Sequence, residues 1–226
     1  MDLLASGRDA DVYRHRDGLV LRRYRDGRSA EVEGALMREL ARLGYPVPAV
    51  ESASGPDLVM EQLEGSTMAA ELLNGTLDPR EGGRLLAHLH DALHTLPWPG
   101  EQPLLHLDLH PLNVIMSGST AVVIDWANAR PGPADLDVAM SALILAQVVI
   151  SPEIVIDSMP GSASPDDGEA HLVTQLTSLL GSFTSEVSPF SDHLTDAAAL
   201  RRADPHQSET ELAQLADAVD LVHSLI

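Results

Sequence analysis

A cluster of acids, histidines and one amide lies near the middle of the 226-residue chain. It reads His106-Leu-Asp-Leu-His-Pro-Leu-Asn113, and Val122-Val-Ile-Asp125-Trp126 follows it. Asp108, Asn113 and Asp125 offer carboxylate and amide oxygens, which suit a hard cation such as Mg²⁺ with phosphate completing its coordination shell. These residue types therefore favour a site for a hard cation such as Mg²⁺.

The predicted elements around this cluster bring two of its residues together. Short apolar strands at 114–116 and 121–124 are joined by Ser117-Gly-Ser-Thr120, which predicts an antiparallel hairpin centred near Ser119. Pairing about that centre would place Asn113 opposite Asp125 at the open end of the hairpin. Asp108 would lie in the loop just before it.

A zinc site is the alternative for the first part of the cluster. His106-x-Asp108-x-His110 contains zinc-type ligands and can be interpreted as the metal site of a hydrolase. That interpretation leaves Asn113 and Asp125 unexplained, so we favour the magnesium site. Three further histidines on one predicted helix are expected to be packed or exposed rather than ligands: His88, His90 and His94.

The first 65 residues predict a strand-rich unit with one helix. Short β-prone runs flank the turn Arg16-Asp-Gly18. Ser29 is expected to cap a helix from Ala30 to Leu43, with Val32, Leu36 and Leu40 among its apolar positions and Gly44-Tyr-Pro46 after its end. The predicted elements are strands at 11–14 and 19–24, the helix at 30–43 and a strand at 57–62.

The rest of the chain predicts mostly helices. A Ser-, Pro-, Gly- and Asp-rich segment at 158–167 interrupts them and is expected to be a mobile loop. The predicted helices are 76–96, 137–150, 168–186, 191–203 and 209–225.

The order of these motifs resembles that of the aminoglycoside phosphotransferase and choline kinase family. His-x-Asp-x-His-x-x-Asn followed by Ile-Asp-Trp carries the resemblance, and Leu89-His90, Gly44-Tyr-Pro-Val-Pro48 and Leu58-Val-Met-Glu61 before Gly65 agree with it over about residues 4–140. The resemblance implies an α+β, bilobal, protein-kinase-like fold. Residues 1–65 would form a nucleotide-binding lobe of β-sheet with one helix, and residues 66–226 a mainly helical catalytic and acceptor-binding lobe.

The resemblance also assigns roles to residues of the central cluster. Asp108 would accept or orient the proton of the acceptor hydroxyl, and Asn113 and Asp125 would bind Mg²⁺. His106 would pack the catalytic loop, and Asp137 would support it from the next helix.

Further roles fall on the N-terminal lobe. The loop Ser6–Tyr13, which contains Gly7, would cover the phosphates of the nucleotide with backbone N–H groups. Glu61 would belong to the hinge that contacts the nucleotide.

The chain contains no lysine for the nucleotide site, because all 14 of its basic residues are arginine. In the family a strand lysine contacts the phosphates and pairs with a helix glutamate. Alternation along Leu19-Val-Leu-Arg-Arg23 puts Arg22 on the face that lines the nucleotide in the family. Arg22 is therefore expected to replace the lysine, with Glu33 as its partner and Glu31 as the second choice.

These roles predict a small-molecule kinase that uses ATP or GTP with Mg²⁺. Only 11 residues separate Asp125 from Asp137, too few for the activation segment of a protein kinase. The alternative is a catalytically weak or inactive nucleotide-binding module, and the replacement of lysine by Arg22 is the one feature that favours it.

Charge and composition limit the classes of molecule that the protein is expected to bind. A net charge of −20 argues against nucleic acid and anionic membranes. Residues 1–50 hold nine arginines against eight acids, and the rest hold five against 26, so the net charges are about +1 and −21. This asymmetry indicates either a cationic acceptor, such as an aminoglycoside or amino alcohol, or an acidic surface kept for solubility.

The sequence also predicts the compartment. The chain contains no cysteine for a disulfide, and its first residues lack the pattern of a signal peptide. The longest apolar stretch, 139–150, is too short to cross a bilayer. We therefore expect a cytoplasmic protein.

Overall fold

Antiparallel strands dominate the first part of the computed structural model, which describes residues 2–7, 9–118, 120–152, 165–205 and 207–226. A five-stranded sheet has the order β1-β2-β3-β5-β4, and a three-stranded sheet has the order β6-β8-β9. The strands are β1 (Leu3–Ser6), β2 (Ala10–Arg16), β3 (Leu19–Tyr24), β4 (Val50–Ser54), β5 (Asp57–Glu61), β6 (Ser66–Thr67), β7 (Leu104–Leu105), β8 (Val114–Ser117), β9 (Thr120–Val123) and β10 (Arg130–Pro131).

The large sheet contains the three strands expected from the sequence and two more. β1 and β4 were not predicted, because neither shows the alternation of apolar residues that marks a half-buried strand: β1 is exposed throughout, and β4 reads Val-Glu-Ser-Ala-Ser. β3 lies at the centre, between β2 and β5, and carries buried residues on both of its faces.

Helix α1 (Glu31–Arg42) packs against β4 of this sheet, and Met37 and Leu40 are among its buried residues. Close packing needs Gly34, since a Cβ there would lie 2.6 Å from the Cβ of Ala53 on β4. Two details of the predicted helix are wrong. Ala30 is the N-cap, and Ser29 lies one residue earlier, accepting a hydrogen bond from the Glu31 N–H at 3.2 Å. Val32 is 78% exposed.

The hairpin β8–β9 belongs to the same compact unit as the large sheet. That unit comprises Met1–Thr67 and Asn113–Asn128, and the second comprises Met68–Leu112 and Ala129–Ile226. Hydrogen bonds explain the grouping: β6 pairs with β8, and the Val123 N–H donates to the Pro46 carbonyl at 2.9 Å. The boundary predicted from the sequence, between residues 65 and 66, would assign the hairpin to the C-terminal part instead. The division into a nucleotide-binding lobe and a catalytic lobe at that point stays a proposal.

The second unit is mainly helical. Asp78 caps α3 by accepting from two backbone N–H groups, and every residue from Asp137 to Gln147 on α4 is buried, which makes α4 the core of this unit. The helices are α2 (Met68–Leu73), α3 (Pro79–His94), α4 (Ala134–Ile150), α5 (Pro165–Glu186), α6 (Leu194–Ala203), α7 (Glu209–Ala213) and α8 (Leu215–His223).

The predicted helices are confirmed with altered ends. The region 209–225 forms two helices, α7 and α8, and α2 was not predicted. Of the predicted loop 158–167, residues 158–164 lie outside the described residues and 165–167 belong to α5. Across the part of the chain that the structure describes, no helix combines the length and hydropathy needed to cross a membrane.

Candidate active site

Arg22 lies on β3 with its guanidinium between two carboxylates of the first unit. Nη1 donates to Glu33 Oε1 at 2.5 Å, and Nη2 donates to Asp125 Oδ1 at 2.7 Å. Burial lowers the pKa of Arg22, but the negative charges of Asp125 and Glu33 outweigh it and hold the pKa above its ordinary value. The guanidinium is therefore a permanent cation that joins α1 to the end of the β8–β9 hairpin.

Glu33 is the centre of this network. Its Oε2 accepts a hydrogen bond from the Tyr24 hydroxyl, and its Oε1 also accepts from the Trp126 N–H at 3.2 Å. Burial, with the charge of Glu33, raises the pKa of Tyr24, so the phenol stays a donor. The structure thus places Glu33 against Arg22, whereas Glu31 is exposed.

Arg22 and Arg23 lie on opposite faces of β3. Arg23 is exposed and donates twice to Asp57, at 2.6 Å each. Tyr24 was missed by the sequence analysis. It lies two positions after Arg22 and so on the same face of the strand, which is the signal that could have identified it.

Asn113 and Asp125 lie at the open end of the β8–β9 hairpin, but the predicted register is wrong by one residue. Val114 pairs with Val123, and the Ile124 N–H donates to the Asn113 carbonyl at 3.0 Å. The reason is the tight turn, in which Gly118 adopts a φ of +60° and Ser117 pairs with Thr120. Asn113 therefore lies across from Ile124, and Asp125 follows, two residues after the end of β9, with a φ of +66°.

The donor atoms of this pair fit a magnesium ion. Asp125 offers a carboxylate and Asn113 an amide oxygen, both of them hard ligands. Asp125 is half-buried, with one carboxylate oxygen held by Arg22, and Asn113 is 9% exposed.

Asp108 lies in the second unit, in a loop shaped by its neighbours. Leu107 adopts a φ of +63°, which is costly for a branched side chain. The Asp108 N–H donates to His106 Nδ1 at 3.2 Å, and His110 Nε2 lies 3.5 Å from Asp108 Oδ1. Burial raises the pKa of Asp108, but the hydrogen bond and charge of His110, then the charges of His106 and Arg201, bring it below its ordinary value.

Asp137 holds this loop from the first turn of α4. It is fully buried, and its carboxylate accepts from the Leu107 N–H at 2.6 Å, the His106 N–H at 3.0 Å and His94 Nε2 at 2.9 Å. Burial raises its pKa, but His90 and His94 outweigh that effect and hold the pKa well below its ordinary value. The bonds from the His106 and Leu107 N–H groups stabilise the unusual backbone beside Asp108.

Two further residues support the loop: His94, which the sequence predicted to be packed or exposed, and Ser141, which it did not identify. His94 reaches Asp137 from α3, and Ser141 donates to the Leu109 carbonyl at 2.7 Å while contacting His90 Nε2 at 2.9 Å. The spacing of His90 and His94, four residues apart on one helix face, was a usable signal. His88 is exposed.

The histidines give the zinc interpretation no support. Among the described residues, one group of three brings possible ligand atoms within 4.8 Å of one another, and it contains neither His106 nor His110. That group is His90, His94 and Asp137, in which His94 Nε2 and Asp137 Oδ2 are hydrogen-bonded at 2.9 Å.

Gly7 and Glu61 lie at other points of the first unit. The Gly7 N–H donates to the Ala10 carbonyl at 2.9 Å in the β1–β2 turn, and its own carbonyl accepts from Arg25 at 2.7 Å. Glu61 ends β5, where its side chain accepts from the Ala49 N–H at 3.1 Å. Their expected contacts with a nucleotide stay predictions.

The sequence matches known proteins in the same region. Residues 2–97 and 94–153 match the model of the phosphotransferase enzyme family. Over 121 residues the chain is 30% identical to the EKC/KEOPS complex subunit BUD32 of Encephalitozoon cuniculi, a match that covers 52% of this chain and 55% of that protein. The chain thus matches about half the length of this relative.

Solved structures share the fold at low sequence identity. An ADP-bound aminoglycoside phosphotransferase, APH(2'')-Ib, is similar at a TM-score of 0.55 and 15% identity, covering 99% of this chain and 93% of that one. A Plasmodium vivax ethanolamine kinase gives 0.59 and 12%, with 98% and 83% covered. Amicoumacin kinase hAmiN, solved with AMP-PNP, gives 0.53 and 14%, with 98% and 87% covered.

These likenesses establish the kinase-like α+β fold, with an antiparallel N-terminal sheet and a mostly helical C-terminal part. The sequence match extends over more than half of the chain. The chain belongs to the phosphotransferase enzyme family.

Proposed function

We propose that the protein is a small-molecule kinase that transfers the γ-phosphoryl group of ATP or GTP to a hydroxyl of a small acceptor. The observation that carries the proposal is the buried Arg22, joined at once to Glu33 and Asp125. A buried cation held beside a half-exposed carboxylate is suited to receive a metal–phosphate ligand.

In this proposal the first unit binds the triphosphate. Arg22 contacts phosphate oxygens, while Glu33, fixed by Tyr24, orients the guanidinium. Asn113 and Asp125 would hold Mg²⁺, which, when bound, neutralises the charge that develops on the transferring group.

Asp108 serves the acceptor. Its carboxylate, ionised at neutral pH, takes the proton of the acceptor hydroxyl as that oxygen forms a bond to the γ-phosphorus. The bond from the γ-phosphorus to the bridging oxygen breaks, and the nucleoside diphosphate leaves with that electron pair. Asp137 contributes by holding the backbone at His106 and Leu107.

We also propose that the acceptor carries an amine. Two of the similar structures are named for aminoglycosides and for ethanolamine, both of which carry amines. The 26 acids against five arginines after residue 50 would favour a cation electrostatically.

The test is a nucleotide-consumption screen against aminoglycosides, amino alcohols, sugars and hydroxy amino acids, run with ATP and with GTP. Acceptor-dependent release of the diphosphate is expected for at least one class. Nucleotide binding without acceptor-dependent turnover in every class would favour the second candidate, an inactive nucleotide-binding module. One observation favours that candidate: an arginine, itself bonded to Asp125, stands where the family has lysine.

A further inference from the structure

An apolar cavity lies within the second unit, beside the loop that carries Asp108. It has a volume of about 60 Å³, and the residues 110–112, α2, α4 and α5 form its walls. Among the described residues that line it, His110 and Gln175 are the polar ones and none is a carboxylate. Its apolar walls include Ala69, Leu72, Ile144, Leu145, Val148 and Leu176.

His110 connects this cavity with Asp108. The imidazole lines the cavity, and its Nε2 lies 3.5 Å from Asp108 Oδ1. Its Nδ1 accepts from the Leu112 N–H at 3.4 Å, which favours the tautomer that carries a proton on Nε2, towards Asp108. One ring therefore separates the proposed base from the apolar space.

The size and lining of the cavity define what it can hold. A water molecule needs about 10–15 Å³ of such space and two to four polar partners, and apolar cavities stay dry and bind apolar molecules. The volume is far below the roughly 300–1,000 Å³ of a pocket for a whole drug-sized ligand. It suits a branched alkyl group of a few carbon atoms, and the lining carries no acid that would attract an ammonium group.

We propose that this cavity receives a short branched alkyl group of the acceptor, so that the substrate is an alcohol with a compact apolar side chain near its hydroxyl. The inference rests on the proposed function and names the substrate class for it. Any amine on the acceptor then lies outside the cavity.

Four probes separate the apolar side chain from the amine: ethanol, 4-methyl-1-pentanol, ethanolamine and leucinol. Dissociation constants are measured by NMR titration in the presence of Mg²⁺ and AMP-PNP, so that the reading needs no phosphoryl transfer. Each buried CH₂ adds about fourfold in affinity. We therefore expect leucinol to bind at least tenfold more tightly than ethanolamine, and 4-methyl-1-pentanol at least tenfold more tightly than ethanol.

Two pairs of variants locate the effect. Ala69→Met fills the cavity from α2, and Ala70→Met changes the neighbouring residue, which does not line it. Val148→Phe and Val149→Phe form the matching pair on α4, where both residues are half-buried and Val148 lines the cavity. The affinity gain should be lost in Ala69→Met and Val148→Phe and kept in the two controls, with folding checked by circular dichroism.

Either of two results would overturn the proposal: no gain from the branched side chain in the wild-type protein, or a gain that survives in the folded cavity-filled variants. These results are separate from a failure of the proposed function. A protein that binds leucinol through the cavity but consumes no nucleotide with any alcohol keeps the site and loses the kinase assignment. A protein that phosphorylates ethanolamine and leucinol equally well keeps the kinase assignment and loses the cavity.

Discussion

At the scale of single residues, Arg22 differs from the lysine it replaces because its guanidinium can donate hydrogen bonds in two directions. A lysine ammonium is one compact charge, whereas the guanidinium bonds Glu33 with one arm and Asp125 with the other. Removing one partner from such a buried network leaves uncompensated charge, which is far more costly than losing an exposed ion pair. Substitutions of buried Arg22 and exposed Arg23 can therefore be compared on the same strand.

We predict that Arg22→Ala weakens triphosphate binding and turnover by tenfold or more, while Arg22→Lys retains substantial activity. Arg23→Ala is the control, because Arg23 is exposed and bonded to Asp57; exposed substitutions usually change stability by less than about 0.5 kcal/mol. Titration with Mg²⁺–ATP and steady-state kinetics measure the effects. Greater damage from Arg23→Ala would show that the wrong face of β3 was chosen.

We predict that Asp125→Asn reduces Mg²⁺-dependent nucleotide binding more than Asn113→Ala does. A carboxylate supplies a dication with both charge and oxygen, and an amide supplies only a dipole. Nucleotide titrations with and without Mg²⁺ compare the two variants. Equal losses in the two, or a loss in Asp125→Asn that is the same without Mg²⁺, would contradict the metal assignment.

At the scale of elements, the sequence predicted which face of a strand a residue lies on, but not the hairpin register or the contacts between residues distant in the chain. Alternation along β3 correctly separated buried Arg22 from exposed Arg23, because one-residue steps reverse the face of a strand. The register of the β8–β9 hairpin depends on the backbone of one turn glycine, which sequence spacing does not reveal. The bond from His94 to Asp137 joins residues 43 positions apart, so the spacing of His90 and His94 could mark this face of α3 but could not identify Asp137 as the partner.

The first turn of α4 gives a prediction about stability and pH. In the folded protein the pKa of Asp137 lies well below its ordinary value, so Asp137 contributes stability above about pH 4 and loses it as the pH falls towards the depressed value. Asp137→Asn should therefore lower the free energy of unfolding by roughly 2–4 kcal/mol at pH 7. The difference from wild type should shrink below about pH 4.

Urea denaturation followed by circular dichroism at several pH values measures this difference. Asp135→Asn is the matched control on the same turn, because Asp135 is only half-buried. It should change the free energy of unfolding by less than about 0.5 kcal/mol. A difference between wild type and Asp137→Asn that is absent at pH 7, or that does not shrink in acid, would refute the account of the loop.

At the scale of the whole molecule, charge is the dominant feature. The net charge is −20, and all of the negative excess follows residue 50. Such a field raises the local concentration of cations and repels anions, and salt screens it. The apolar cavity adds short-range selection that salt affects little, so charge and cavity would act on different parts of one acceptor.

We predict that the kcat/KM for leucinol falls several-fold between 0.1 M and 1 M NaCl relative to that for 4-methyl-1-pentanol. The Debye length shortens from about 10 Å to about 3 Å over this range, which screens attraction of the ammonium group. The ratio of the two acceptors cancels the salt dependence of nucleotide binding. An unchanged ratio would indicate that the acidic residues serve solubility alone.

The most direct test of the kinase assignment is phosphoryl transfer by Asp108→Ala, measured by ³¹P NMR with an acceptor found in the screen. Transfer should fall by about 10²–10⁴-fold, because a general base or orienting group contributes that much. The affinity for Mg²⁺–ATP should stay within about twofold of wild type, since Arg22, Asn113 and Asp125 are unchanged. An Asp108→Ala protein that keeps more than about a tenth of the wild-type turnover would contradict the central claim.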